Sequence, residues 1–114
     1  MGKINSRDKG ARYERHVAQV LREFGWEAER GCQHSGGVDS PDVKHNLPNL
    51  HLECKAVEKL NLWSALAQSE RDAGDDEIAS VVFKRNRSKD YIALPLEDFL
   101  KIFGKAQGKG EQDK

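Results

Sequence analysis

Apolar and polar residues recur along this chain with two periods, one helical and one strand-like. From Ser6 to about Phe24, Tyr13, Val17, Val20, Leu21 and Phe24 return at helical spacing and draw one apolar stripe. Ser6 is placed to cap that helix and Gly25 to stop it. Glu14 sits at the edge of the stripe, on the border between core and solvent, while Arg12, Arg15 and Arg22 point elsewhere. Trp26 to Gln33 alternates as a strand does, with Trp26, Ala28 and Cys32 on one side. His34 to Ser40 reads as a flexible Ser/Gly loop. Pro41 to Lys44 is a short strand whose proline stands at its start, where a missing donor is tolerated. Asn46 to Asn49 is a turn.

Leu50 to Val57 alternates again. Period two sends Leu50, Leu52, Cys54 and Ala56 into a core and sets Glu53 and Lys55 side by side on the opposite face. Asn61 caps a second helix, Leu62 to Ala73, which Gly74 closes and whose packing face is Leu62, Leu66, Ser69 and Ala73. Ile78 to Phe83 is short, β-branched and continuous, the pattern of a buried strand. A turn at Asn86, Arg87 and Ser88 leads to a strand from Asp90 to Leu94. Pro95 opens a last helix carrying Leu96, Phe99, Leu100 and Phe103. The order αβββαββα predicts an α/β domain over residues 1–103: a mixed five-stranded sheet flanked by helices, its first three strands an antiparallel meander. Residues 104–114 are Gly, Lys, Gln and their like, and are expected to be a disordered tail.

The 114 residues leave room for one modest core, and 37% hydrophobic with 33% charged residues suits a folded, soluble chain. No apolar run approaches a membrane span, and the polar N-terminus lacks a signal-peptide core, so a cytoplasmic protein is expected. Cys32 and Cys54 make no disulfide framework. Together with His34, His45 or His51 they match no compact zinc-ligand spacing. The net charge of zero argues against coating nucleic acid by charge alone. The charge is uneven, however. Lys3, Arg7, Lys9, Arg12 and Arg15 crowd the N-terminus, Lys84, Arg85, Arg87 and Lys89 form a second basic cluster, and an acidic stretch runs from Glu70 to Glu77. Local basic patches on a neutral chain suit contact with a polyanion on one face.

Phosphodiester hydrolysis needs a divalent cation, hard oxygen ligands to hold it, and a positive group to orient the nucleophile or stabilise developing charge. Asp42 and Glu53 can supply the ligands if strands 41–44 and 50–57 form a hairpin pair. The Cys54 carbonyl is a further oxygen ligand, Lys55 reaches the same water, and Glu14 completes the acidic cluster directly or through a water. Each residue has a plainer alternative. Asp42 after a proline can be a turn former, Glu53 and Lys55 an ion pair, and Glu14 a partner of Arg7 or Lys9. Trp26 and Trp63 read as core or dimer contacts, and the histidines as polar surface.

Pro41-Asp42, ten residues, then Glu53-Cys54-Lys55, with Glu14 upstream on a helix, resembles the PD-(D/E)xK nuclease pattern, and the order of elements matches the restriction endonuclease-like core. Within that superfamily the chain is similar to the small Holliday junction resolvases of archaea and phages. The likeness runs from about Ser6 to Phe103 through the basic N-terminal segment, the Ser/Gly loop, the Asp42/Glu53/Lys55 set and Val81 to Arg87. The resemblance implies a magnesium-dependent nuclease, with manganese able to substitute, acting on branched DNA as a homodimer. It implies a helping role for Ser35 in the loop and for a glutamine on the second helix. Gln68 is that glutamine, although on the helical wheel it faces away from the packing stripe. Arg7, Lys9, Arg12, Lys84 and Arg87 are then expected to grip DNA, mostly through phosphates and shape, since no base-reading helix is visible. A nicking or restriction-type nuclease and a non-catalytic DNA-binding subunit are the alternatives.

Overall fold

The computed structural model describes residues 6–31 and 42–106. Helix α1 spans Ser6–Glu23, followed by strands β1 (Ala28–Arg30), β2 (Val43–His45) and β3 (Leu50–Ala56). Helix α2 (Leu62–Asp72), strands β4 (Ile78–Lys84) and β5 (Tyr91–Ala93), and helix α3 (Leu96–Ala106) complete the chain. The mixed α/β class and the order αβββαββα are as the sequence predicts.

The apolar stripe of α1 is real: Tyr13, Val17 and Ala18 are buried with Val43 of β2, and Leu21, Ala28, Cys54, Ala56 and Val82 pack around them. Phe24 leaves that stripe and is exposed. The reason is the helix stop. The Gly25 N–H bonds to the Arg22 carbonyl and the Trp26 N–H to the Leu21 carbonyl, with Gly25 at φ +97°. This is a Schellman closure, and it turns the chain away before Phe24 can join the core.

The five strands form two sheets rather than one. β1 and β2 pair antiparallel, Glu29 opposite Lys44. β3 pairs with β4 in parallel, Glu53 opposite Val81, and β4 with β5 antiparallel. The expected meander therefore stops after β2, and among the described residues no backbone ladder joins β2 to β3. A side chain replaces it: the Cys54 N–H donates to Asp42 Oδ2 at 2.8 Å. Only Val43 to His45 are extended in β2, too short to pair β1 on one edge and the full length of β3 on the other.

Both faces of β3 and β4 are covered, α1 on one side and α2 on the other. Asn61 caps α2 as predicted, its Oδ1 accepting from the Ser64 N–H at 3.0 Å. The buried face of α2 centres on Ala65 and Ser69. The Ser69 hydroxyl donates to the Ser80 carbonyl, and the Ser80 hydroxyl to the His51 carbonyl, so α2, β4 and β3 are stitched by side-chain bonds inside the fold. α3 runs three residues past Phe103, through Gly104 to Ala106; residues 107–114 lie outside the described part. None of its residues is buried, and Leu96, Phe99, Leu100 and Phe103 share an exposed apolar face.

Val81 is fully buried at the centre of the three-stranded sheet. Val81→Ala deletes two methyl groups with little room to collapse, so the urea midpoint should fall by the equivalent of about 2 kcal/mol at unchanged slope.

Candidate active site

The site grows from the free edge of β3. In a strand, the N–H and C=O of one residue point to the same edge. Because the Cys54 N–H turns toward Asp42, the Cys54 carbonyl looks the same way, as its expected ligand role requires. Gly31 N–H bonds to the Asp42 carbonyl at 2.9 Å, which extends the β1–β2 ladder by one residue and holds Asp42 in place. Ser35 and Pro41 lie outside the described residues, as do Cys32 and His34 of the zinc alternative.

Glu53 is 5% exposed. Strand alternation had placed it on the face opposite Cys54 and Ala56, and that face turns out to be roofed by α2. Gln68 of α2 donates to Glu53 Oε2 at 3.0 Å, and Lys55 Nζ lies 3.7 Å from the same oxygen. Gln68 therefore faces the site, against the helical-wheel expectation. The buried face of α2, Ala65 and Ser69, is rotated about the helix axis from the predicted stripe of Leu62, Leu66, Ser69 and Ala73, which brings Gln68 over β3. Glu14 pairs with Arg30 of β1, Nε to Oε1 at 2.8 Å, rather than with Lys9.

Electrostatics tie the carboxylates together. Burial lifts the Asp42 carboxyl from its ordinary 3.8 to about 6; the Glu53 and Glu14 charges add to the rise, and the Cys54 N–H and Lys55 oppose it. Burial first, then the charges of Asp42, Glu14 and Glu53, also pushes the Cys54 thiol up, which disfavours a thiolate ligand. His51, buried beside Glu53, is held above the ordinary imidazole range chiefly by that carboxylate.

The donors of this cluster are hard carboxylate oxygens, the set that suits magnesium or manganese. Asp42, Glu53, Glu14 and the Cys54 carbonyl are the oxygen donors that the sequence nominates for such an ion. Among the described residues the trio of donors that draws within 4.8 Å is a different one: His51, Glu53 and Asp72. Glu14, Asp42 and Glu53 do not close to that spacing, each being held by its own partner: Arg30, the Cys54 N–H and Gln68. Arg30, His51 and Asp72 were not anticipated. Nothing in local periodicity marks them, although His51 shares the Glu53 face of its strand.

A basic cleft of about 570 Å³ opens between α1 and the ends of β3 and β4, lined by Lys9, Arg12, His16, Lys84, Arg85 and Asn86. Lys9, Arg12 and Lys84 are where the sequence expects DNA contacts. Arg85 joins them, whereas Arg87 sits in the adjoining turn at φ +66° and does not line the cleft. Arg7 falls in the first turn of α1. Asp90 accepts from the Tyr13 hydroxyl and pairs with His16 Nε2, both at 2.9 Å, which anchors the cleft wall to the start of β5.

The family model "Phage putative PDDEXK endonuclease" matches residues 5–112. The chain belongs to that family. This PDDEXK endonuclease also resembles a solved structure, the Hjc Holliday junction resolvase of the archaeal hyperthermophile Archaeoglobus fulgidus. Identity is 26% over 78% of this chain and 74% of that one, with a TM-score of 0.56. The restriction endonuclease-like fold is thereby shown. No curated protein matches the chain. No helix among the described residues is long and apolar enough to cross a membrane.

The raised Asp42 carboxyl has a stability consequence with a definite sign. Its ionised form is disfavoured in the native state, so metal-free protein carries no penalty below pH 3.8, loses stability as pH rises toward 6, and bears the full penalty at pH 7. Asp42→Asn keeps an acceptor for the Cys54 N–H and removes the charge. Metal-free Asp42→Asn should be more stable than wild type by about 1–3 kcal/mol at pH 7 and no more stable at pH 3.5, measured by urea unfolding in chelator.

Proposed function

We propose that this PDDEXK endonuclease cuts branched DNA, four-way junctions foremost, as a magnesium-dependent homodimer. The observation that carries the metal-dependent chemistry is the meeting of Asp42 with the Glu53-Cys54-Lys55 strand, seen in the 2.8 Å bond to the Cys54 N–H and in the raised Asp42 carboxyl. Branched DNA as substrate is supported by the similarity to an archaeal Holliday junction resolvase.

A bound divalent cation would lower the pKa of a water and neutralise charge on the scissile phosphate. The chain's own residues do the rest. Asp42 and Glu53 present carboxylate oxygens at the free edge of β3. Gln68 fixes the orientation of Glu53, and Lys55 holds positive charge beside it, where it can orient the attacking water and stabilise the phosphate's developing charge. Glu14, steadied by Arg30, adds negative charge at the rim. Ser35, seven residues before Asp42 in the sequence, is proposed to assist.

The basic cleft would seat the phosphate backbone beside this edge, with Lys9, Arg12, Lys84 and Arg85 as its cations. Arg7 precedes them on α1, and Arg87 would reach DNA from the turn. One domain of this size holds one such site, and symmetric cutting of two strands calls for two sites about a two-fold axis. The exposed apolar face of α3 offers a second copy a surface to cover.

Asp42→Ala, Glu53→Ala and Lys55→Ala should each lower junction cleavage in magnesium by more than about 100-fold while leaving junction binding within a few-fold. Cleavage at the wild-type rate in any of the three sinks the assignment. Plain duplex cut as fast as four-way junctions of equal length would replace junction resolution with a restriction-type or nicking activity. Arg12→Ala and Lys84→Ala should weaken binding alike for all sequences and reduce the salt dependence by about one counterion each, read from affinities between 50 and 200 mM salt.

A further inference from the structure

We propose that His51, Glu53 and Asp72 form a second divalent-cation site, on the α2 side of β3, that takes a nitrogen-accepting ion such as manganese or zinc. It extends the proposed nuclease site, with which it shares Glu53.

One donor atom from each residue lies within 4.8 Å of the other two. His51 Nε2 is the independent sign that a ligand belongs there. The side chain is 9% exposed, and Nε2 has no hydrogen-bond partner. Its nearest acceptor, Glu53 Oε1, is 3.5 Å away, too long for a hydrogen bond of normal strength. A buried polar nitrogen left unpaired is costly, and a coordinated ion removes that cost.

Glu53 faces two ways. Its Oε2 is engaged by Gln68 and approached by Lys55. Its Oε1 looks toward His51. The carboxylate can thus serve one ion through each oxygen.

The charge around His51 asks for a cation. Glu53, Asp72 and Glu77 all stand around it. Glu77 Oε1 stands 4.0 Å from Nδ1 and is itself held by the Gly74 N–H at 2.8 Å, which keeps it outside the trio. Asp72 is the last residue of α2, where the negative end of the helix dipole adds to its own charge. Three carboxylates around one imidazole leave excess negative charge even when the ring is protonated. An imidazole with two carboxylates suits manganese or zinc, whereas magnesium prefers an all-oxygen shell.

The test needs no DNA. Manganese added to the full metal-free chain should show ¹⁴N coupling from a ligating imidazole in pulsed electron paramagnetic resonance. The coupling should persist in Asp42→Asn, disappear in His51→Gln, and be accompanied by at least tenfold weaker manganese binding in Asp72→Asn. Asp72 is exposed, so that variant keeps the fold. Zinc should raise the melting temperature of wild type more than that of Asp72→Asn. Absence of nitrogen coupling in wild type, its survival in His51→Gln, or unweakened binding in Asp72→Asn overturns the second site. Failure of the nuclease proposal reads separately, as wild-type protein that leaves junctions intact in magnesium whatever the manganese spectrum shows.

Discussion

The bond from the Cys54 N–H to Asp42 Oδ2 is where the two sheets of this protein meet. β2 is too short to lend β3 a second ladder, so a carboxylate serves as the acceptor that a neighbouring carbonyl would otherwise provide. That substitution has two consequences. The free edge of β3 is satisfied at the residue between Glu53 and Lys55, and an acid is drawn into a partly buried setting among other acids. The elevated Asp42 carboxyl is the electrostatic cost of this junction. The constraint that closes the fold also concentrates the negative charge that a cation would neutralise.

Around that edge the structure divides its work by face. Cys54 and Ala56 pack against the α1 core, while His51 and Glu53 are buried toward α2. A strand covered on both sides gives its polar residues fixed surroundings. Glu53 is oriented by Gln68 from above, approached by Lys55 along the strand and faced by His51. Rigid placement of this kind suits chemistry better than an exposed carboxylate with free rotamers.

Net charge conceals a cationic cleft in this chain. The sum is zero, yet α1 and the ends of β3 and β4 bring Lys9, Arg12, Lys84 and Arg85 into one cleft, although about seventy residues separate them in sequence. The acidic residues gather instead at the end of α2 and the turn after it. Charge separation by folding lets a neutral protein present a cationic groove.

Local sequence determined the elements. Helical spacing gave α1 and α2, Gly25 and Asn61 set where the first ends and the second begins, and period two separated Glu53 and Lys55 from Cys54 and Ala56. Asp42, Glu53 and Lys55 could be singled out because Pro-Asp and Glu-x-Lys are patterns of residue types at short spacing, Glu53 and Lys55 on one strand and Asp42 just before another. Tertiary structure alone decided the rest: two sheets in place of one, Arg30 as the partner of Glu14, Gln68 turned onto Glu53, His51 and Asp72 brought together, and α3 left with its apolar face uncovered. The reason is that periodicity states which face of an element is apolar but not what lies across from it. A hydrogen bond between a side chain and a distant backbone leaves no pattern in either segment until the fold has set them side by side.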